Sequence, residues 1–314
     1  MPLAATIEIG TTAWSWGSLG AADSLCAQAE KAQAMGFHSF WLPENHFGQR
    51  SAIPSPLMLL AAVAARTQTI SLGCTSYLLP IRHPLLAAED VAVLDQLCQG
   101  RLILGVGRGL SGAMFKAFGV DSANKRKLFQ ANLEIMQRAW RGEPLDYDEN
   151  GSPICLAPLP VQQPSPPIWV AAFGPLALQQ VARLGLPYLA SPIESLAVLE
   201  QKYQRFHLDV SAAGQGAVRT IPVMRSVFVT DSTDESTRVR AALEHAVPSS
   251  MRADPVSVDD WAIVGDRHYV GDKLAEYVER LKLTYLIVRA GIEGVSEVAQ
   301  LRSQETVLSI IEGL

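Results

Sequence analysis

Short apolar runs alternate with longer amphipathic stretches along most of the chain. Runs rich in β-branched and aromatic residues predict eight strands, over 6–10, 38–42, 70–75, 102–106, 168–173, 187–191, 220–229 and 285–289. Between them apolar residues recur at helical spacing. This spacing predicts helices over 21–35, 56–67, 85–97, 124–141, 176–184, 196–212, 231–246, 270–281 and 295–314.

Strands that alternate with helices indicate an α/β fold with a parallel sheet. We expect a (β/α)8 TIM barrel, because the first strand lacks the glycine fingerprint of an open doubly wound sheet. The chain is predicted to be one domain, 1–314. Residues 145–167 and 247–264 lack periodicity and are predicted as insertions at the C-terminal face, the second as a loop or short helices that form a lid. Asn150-Gly151 predicts a hairpin turn in the first.

Composition narrows the class of protein. The chain has 314 residues, 48% of them hydrophobic, and a formal net charge of −5, which argues against nucleic acid as a partner. No apolar run is long enough to span a membrane, and no signal peptide is expected at the N-terminus. The four cysteines lack CxxC spacing and are predicted to be buried thiols in a cytoplasmic protein. The scattered histidines predict no metal site.

In a barrel, functional side chains lie where strands end. The fourth strand ends in Gly105–Gly109, where glycines allow close approach of a ligand and Arg108 offers a permanent cation for a phosphate. Arg126, at the start of the next helix, is a second candidate. The alternative is an ion pair with an acid such as Asp121. The third strand ends at Thr75-Ser76.

The second strand ends in Glu44-Asn45-His46-Phe47. His46 is a candidate acid or base, whereas Asn45 donates hydrogen bonds but does not titrate near neutral pH. Glu44 is a candidate to orient this loop, and a structural role for His46 stays open. At other strand exits, Trp14 and Tyr77 are candidates for an apolar pocket or for core packing, and Arg289 for the mouth of the barrel or an ion pair.

The stretch from Thr69 to Gly109 resembles the bacterial luciferase-like flavin monooxygenases. Its family pattern consists of segments in a fixed order and spacing, namely His83-Pro84, Ala88-Glu89-Asp90, Leu94-Asp95-Gln96-Leu97, Gly100-Arg101 and Gly105 to Gly109. The block as a whole is specific, whereas a GxGRG alone is weak.

The resemblance implies a flavin-dependent monooxygenase. Reduced FMN would come from a separate flavin reductase and would react with O2, giving a C4a-peroxyflavin that oxygenates a small organic substrate. Arginines at the positions of Arg108 and Arg126 contact the FMN phosphate in the family. The Thr75-Ser76 bond would be a cis peptide beneath the ring. The resemblance also implies a homodimer with the third helix at its interface.

The family pattern extends to the neighbouring loops. Backbone of Gly107, Gly109 and Leu110 would lie at the cofactor. The family also uses side chains after the fifth strand for the phosphate. Here Phe173-Gly174 offers only backbone N–H groups, which would substitute.

A second departure from the family lies in the loop after the second strand. The luciferases place their catalytic histidine where this chain has Asn45, and His46 matches a second family histidine. Two alternatives stay open, and Asn45 supports the second. Relatives in the superfamily use a deazaflavin and transfer hydride without oxygen, and non-catalytic relatives bind flavin with little turnover.

Overall fold

A computed structural model describes residues 7–15, 22–47, 52–247 and 257–314. The described residues divide into two compact units. The middle unit contains 22–30, 41–47 and 52–171. The terminal unit contains 7–15, 31–40, 172–247 and 257–314. The single domain expected from the sequence stays a prediction.

Nine of the described strands belong to parallel β-sheet, and two form an antiparallel hairpin. The parallel strands are β1 (Glu8–Thr12), β2 (Ser39–Leu42), β3 (Ser71–Leu78), β4 (Leu102–Gly107), β7 (Ile168–Ala171), β8 (Tyr188–Leu189), β9 (Pro222–Val229), β10 (Ala262–Gly265) and β11 (Tyr285–Val288). The hairpin strands are β5 (Asp146–Tyr147) and β6 (Pro153–Ile154). The alternation of strands and helices confirms the α/β class.

Ten α-helices lie among the described residues. They are α1 (Ala22–Met35), α2 (Pro56–Arg66), α3 (Pro84–Leu97), α4 (Gly112–Ala117), α5 (Lys125–Trp140), α6 (Pro175–Leu184), α7 (Leu196–Ala212), α8 (Thr233–Ala246), α9 (Arg267–Leu281) and α10 (Glu297–Ile311). Nine of them overlap the helices predicted from periodicity. The sequence did not predict α4, because six residues are too few to show a helical period.

In the middle unit, β4 pairs in parallel with β3 and with β7. Every residue of β4 is buried, as its continuous apolar run predicts. The register between β3 and β4 shifts between Cys74 and Tyr77, so the strand carries an irregularity near its carboxyl end. Such bulges re-aim side chains beside functional sites. The Trp41 and Trp169 rings stack with their centroids 5.0 Å apart, and the Trp41 ring leaves no room for a Cβ on Gly73.

In the terminal unit, β9 pairs in parallel with β10 and β11, and β11 pairs with β1. Strand β9 is buried along its whole length. Strand β10 corrects the sequence prediction, which placed 262–264 in a loop and counted eight strands rather than nine. Its side chains join a core of Phe228, Val239, Trp261 and their neighbours. The other part of the predicted lid, 248–256, lies outside the described residues.

The excursion over 145–167 contains the hairpin that Asn150-Gly151 predicts. Gly151 has φ +77° and donates its N–H to the Asp148 carbonyl, and the Asp148 carboxylate accepts from the Asn150 N–H at 2.8 Å. Further along, Gln162 binds the buried Asp95 carboxylate through its backbone N–H at 2.9 Å and its side-chain amide at 2.7 Å. This contact fixes the excursion to the end of α3.

The described residues also bear on the cysteine, membrane and metal predictions. The four cysteines are free thiols, but Cys155 is exposed, so the prediction of four buried thiols is wrong there. Cys155 directly follows the hairpin strand β6, whose residues are exposed. None of the described helices is long and apolar enough to cross a membrane. The same residues contain no cluster of three potential metal ligands.

Candidate functional site

The middle unit brings together the chain segments that follow β2, β3 and β4. Glu44 follows β2, and its side chain is fully buried. Its Oε1 accepts from His46 Nε2 at 2.6 Å and from Arg82 at 2.7 Å, and its Oε2 accepts from the Leu78 N–H at 3.0 Å. A buried carboxylate is stable only when such donors replace its water. Glu44 therefore joins the loop after β2 to the end of β3.

His46 is held by this network, and its side chain is 7% exposed. A carboxylate only accepts hydrogen bonds, so the bond to Glu44 assigns the Nε2 proton of a neutral His46 and leaves Nδ1 as the acceptor. The Phe118 ring meets the imidazole edge-on at 5.0 Å, and the Phe47 ring lies at 6.0 Å. The imidazole is therefore polar on one side and flanked by aromatic rings on others.

Phe47 has a conformation unusual for a bulky residue. Its φ is +55°, and its side chain is 70% exposed while it contacts Phe118 at 5.6 Å between ring centroids. A non-glycine residue in the left-handed region is strained, and such residues concentrate at functional sites. The two rings form an exposed apolar surface beside His46.

Asn45 has a different set of partners from its neighbours. Its backbone N–H donates to the Ile53 carbonyl at 3.0 Å, and its side-chain Oδ1 accepts from the Ile53 N–H. The Ile53 carbonyl and the Asn45 side-chain carbonyl therefore both accept hydrogen bonds within the fold. Within the described residues, the side-chain NH2 is the Asn45 donor that this pairing with Ile53 does not use.

The end of β3 approaches the end of β4 closely. The peptide bond between Thr75 and Ser76 is cis, as the family resemblance implies. A Cβ on Gly107 would collide with the Ser76 side chain, so this position accepts only glycine without rearrangement. Gly109 has φ +76°, and Leu110 beyond it is exposed. The chain is therefore buried and closely packed at Gly107 and becomes more exposed from Gly109 to Leu110.

Arg108 is buried at the end of β4, with 7% of its surface exposed. It donates to the Ala171 carbonyl at 2.8 Å, and its guanidinium lies 4.3 Å from the Phe129 ring centroid. Burial, with a smaller contribution from the positive charge of Arg126, lowers the pKa of Arg108 to about 10. The surroundings as a whole disfavour the positive charge of Arg108. A bound anion would offset both its burial and its repulsion by Arg126.

Arg126 is exposed on the first turn of α5, near enough to repel Arg108. Lys125 precedes it, and its Nζ donates to the Gly109 carbonyl at 3.4 Å. Asp121, the alternative partner considered for Arg126, accepts from the Ala123 N–H at 2.9 Å and the Asn124 amide at 3.0 Å. Three cations thus lie around the end of β4.

Sequence reasoning did not single out Lys125, Arg82 or Phe118. Arg82 lies between Pro80 and Pro84, in a segment interpreted only as a helix start. Phe118 ends α4, the helix that showed no period. Lys125 had one available signal, since it is adjacent to Arg126 in a basic run.

Tyr77 is buried at the end of β3 beneath Arg82, whose guanidinium lies 3.9 Å from its ring centroid. Burial raises the pKa of Tyr77 well above its ordinary value, so the ring stays neutral. The other candidates belong to the terminal unit. Trp14 is buried and donates from Nε1 to Glu297 at 3.2 Å.

Phe173, Gly174 and Arg289 also belong to the terminal unit. The Phe173 carbonyl accepts from Lys202 at 2.7 Å, and Gly174 begins α6 as its N-cap. Arg289 is half-buried, and burial lowers the pKa of its guanidinium.

A buried cation beside closely packed glycines at the carboxyl end of a parallel strand defines a candidate phosphate-binding site of an α/β enzyme. The family model of luciferase-like monooxygenases matches residues 6–282. The chain belongs to that family, and this places it among the oxidoreductases.

Relatives and solved structures share the sequence or the fold. The oxygenase component of a flavin-dependent trigonelline monooxygenase from Acinetobacter baylyi is 27% identical over 220 residues, which are 68% of this chain and 59% of that protein. The chain spans about half the length of most of the curated relatives it matches, for example 47% of a protein from Sinorhizobium fredii that is 37% identical over 50% of this chain. A limonene 1,2-monooxygenase from Rhodococcus erythropolis is 38% identical over 114 residues, which are 36% of this chain and 30% of that protein.

Three solved structures have the same fold at low identity. Monooxygenase RslO1 from Streptomyces bottropensis has a TM-score of 0.81 at 23% identity, covering 98% of this chain and 99% of that one. The FMN complex of the oxygenating constituent of 3,6-diketocamphane monooxygenase from Pseudomonas putida has a TM-score of 0.79 at 20% identity, covering 98% of each. The coenzyme F420-dependent tetrahydromethanopterin reductase from Methanopyrus kandleri has a TM-score of 0.73 at 19% identity, covering 98% and 100%.

Proposed function

We propose that this protein is the oxygenase of a two-component, flavin-dependent monooxygenase that oxygenates a small organic substrate with O2. The observation that carries the proposal is Arg108, a buried guanidinium whose charge its surroundings disfavour, at the end of β4. Reduced FMN would supply the electrons that activate O2. Membership of the family and the FMN complex of a protein of the same fold support this cofactor.

Arg108 and Arg126 are proposed to hold the FMN phosphate. Two guanidinium groups match phosphate oxygens with short charge-assisted hydrogen bonds. A bound dianion would remove the repulsion between them and replace the water that Arg108 loses on burial. Lys125 adds a third positive charge at the same strand end. The Phe173-Gly174 backbone stays a proposed second contact for the phosphate, as the family resemblance implies.

The flat part of the cofactor is proposed to lie on backbone rather than on side chains. Thr75, Ser76 and Gly107 form a closely packed surface in which a single added Cβ has no room. Gly109 and Leu110 extend it toward α4. Trp14, Tyr77 and Arg289 are each proposed as candidate contacts of the substrate.

His46 is proposed as the group that holds or moves a proton at Nδ1, because its Nε2 is fixed on Glu44. The exposed rings of Phe47 and Phe118 would exclude water from that nitrogen and contact an apolar part of the substrate. Asn45 would donate from its side-chain NH2 while its Oδ1 holds Ile53.

Two partners follow from the same proposal. A separate reductase would supply reduced FMN, as the description of the trigonelline relative as an oxygenase component suggests. A homodimer would form through α2 and α3, where several large apolar side chains are exposed. They are Met58, Leu86, Val93 and Leu97. Covering such a surface with a second copy removes apolar area from water.

Cofactor binding and oxygen use test the function directly. We expect the protein to bind FMN more tightly than F420, measured by fluorescence quenching. With reduced FMN, oxygen uptake should yield an oxygenated product for at least one member of a panel of small apolar substrates. Preference for F420 with no oxygen uptake would favour hydride transfer. Peroxide as the only product with every substrate would favour the flavin-binding alternative, which the asparagine at position 45 supports.

A further inference from the structure

The Glu44 carboxylate carries a charge in a fully buried position between β2 and β3. Its hydrogen bonds come from one imidazole, one backbone N–H and one guanidinium. Of these donors only Arg82 is permanently charged. Cys74 and Tyr77 also lie within the field of Glu44, and burial raises the pKa of each well above its ordinary value, so both stay neutral.

The Arg82 side chain is positioned from three directions. It is 17% exposed, and one guanidinium nitrogen contacts both Glu44 Oε1 at 2.7 Å and the Leu78 carbonyl at 2.8 Å. The guanidinium plane lies over the Tyr77 ring. The Arg82 backbone is fixed as well, because its carbonyl accepts from the Asn132 side-chain amide at 3.1 Å.

Glu44 Oε1 is shared between Arg82 and His46, so the two cationic or potentially cationic groups compete for one carboxylate oxygen. With Arg82 present, the negative charge of Glu44 is balanced whether or not His46 carries a second proton. Without Arg82, a buried carboxylate would face only the imidazole and one N–H, and a proton on His46 would be the nearest way to restore neutrality.

We propose that Arg82 is a positioning residue for His46: by balancing the Glu44 charge, it keeps the imidazole neutral with its proton at Nε2 and its Nδ1 available to the reaction. The kinetic consequence rests on the proposed function, whereas the state of the ring does not. Arg82 acts on His46 through Glu44 Oε1, the atom that both side chains contact.

Ring nitrogen NMR of the flavin-free protein tests the proposal. In the wild type at pH 7.5 the 15N signals of His46 should show one protonated nitrogen, Nε2. In Arg82→Met, which keeps the length of the side chain and removes its charge, both nitrogens should be protonated. Arg82→Lys should return the spectrum toward that of the wild type. An unchanged His46 spectrum in folded Arg82→Met would overturn the proposal.

A matched control separates charge balance from a general loss of packing. Arg101 is another partly buried arginine of the middle unit, which donates to the Cys98, Ile70 and Thr67 carbonyls. Arg101→Lys should lower the melting temperature and leave the His46 spectrum unchanged. A His46 spectrum that responds equally to Arg101→Lys would count against a specific role for Arg82.

The double variant Glu44→Gln with Arg82→Met covers the case in which Arg82→Met does not fold. If charge balance is the role of Arg82, removing both charges should restore folding and a neutral His46. If the double variant also fails to fold, Arg82 is a structural residue and the proposal is wrong.

With FMN and a turned-over substrate, Arg82→Met should lower kcat by about 10- to 100-fold, less than the loss of a general acid or base itself, and leave the KM for FMN within about twofold. Absence of FMN binding together with a responsive His46 spectrum would refute the proposed function and leave this inference intact.

Discussion

Replacing Arg108 by methionine tests the phosphate site, because function and stability should respond in opposite directions. A pKa lowered from an ordinary 12.5 to about 10 means that the folded protein disfavours the Arg108 charge by about 3 kcal/mol. That cost is present at neutral pH, where arginine is charged in both the folded and the unfolded chain. It is relieved only as the pH rises above about 10.

Methionine fills a similar volume and carries no charge. It loses the hydrogen bond to Ala171, worth about 1 kcal/mol, and the contact of the charge with Phe129. The free energy lost with these two contacts is smaller than the cost of burying the charge. The free energy of unfolding of Arg108→Met should therefore be unchanged or higher by up to about 2 kcal/mol.

FMN binding should weaken in the same variant by about 1.5–3 kcal/mol, which is about 10- to 150-fold in Kd, as expected for lost charge-assisted hydrogen bonds. The assay is urea unfolding of the flavin-free protein together with an FMN titration by fluorescence. Arg101→Met is the control: it should destabilise the fold, since it removes several donors, while its folded fraction binds FMN normally. An Arg108→Met protein that is less stable but retains wild-type FMN affinity would refute the reasoning.

Three further changes test other parts of the proposal. His46→Ala should leave FMN affinity intact and lower product formation by about 10²- to 10⁴-fold, with oxygen diverted to peroxide; full product yield would make His46 structural. Gly107→Ala should cost about 1–3 kcal/mol of stability through overpacking against Ser76 and weaken FMN binding. Adding Ser76→Gly to Gly107→Ala should recover most of that stability. If the two substitutions instead destabilise the protein additively, contact with Ser76 is not the cause of the loss. Val93→Glu on α3 should convert a dimer to a monomer in light scattering, whereas a wild type that is already monomeric contradicts the proposed interface.

The sequence predicted most strands and helices because their apolar residues keep a regular period over many residues. It missed β10, whose apolar run follows a stretch without periodicity and is followed at once by Asp266, the N-cap of α9. A strand this short owes its pairing to β9 rather than to a pattern of its own. Tertiary contacts, not local preference, decide such segments.

Part of the candidate site was likewise predicted from the sequence, and part was not. Arg108 and the glycines around it belong to one continuous motif, so the sequence alone predicted that they lie close together. The role of Glu44 was not, because its partners Leu78 and Arg82 lie far from it along the chain. Spacing within a motif predicts neighbours on one strand end, whereas a network between strand ends depends on register and on the irregularity in β3.

Glu44 and Arg108 represent two ways in which this fold accommodates a buried charge. The Glu44 carboxylate receives three donors from its own unit, so its site is complete without a ligand. Arg108 lies in surroundings that lower its pKa, and the neighbouring positive charge of Arg126 adds to that effect. A binding anion would therefore gain most beside Arg108. The part of the ligand nearest His46 meets a balanced network and aromatic rings, which suits a neutral, apolar group. Under the proposed function, these two environments would orient a molecule with a phosphate at one end and an uncharged reacting part at the other.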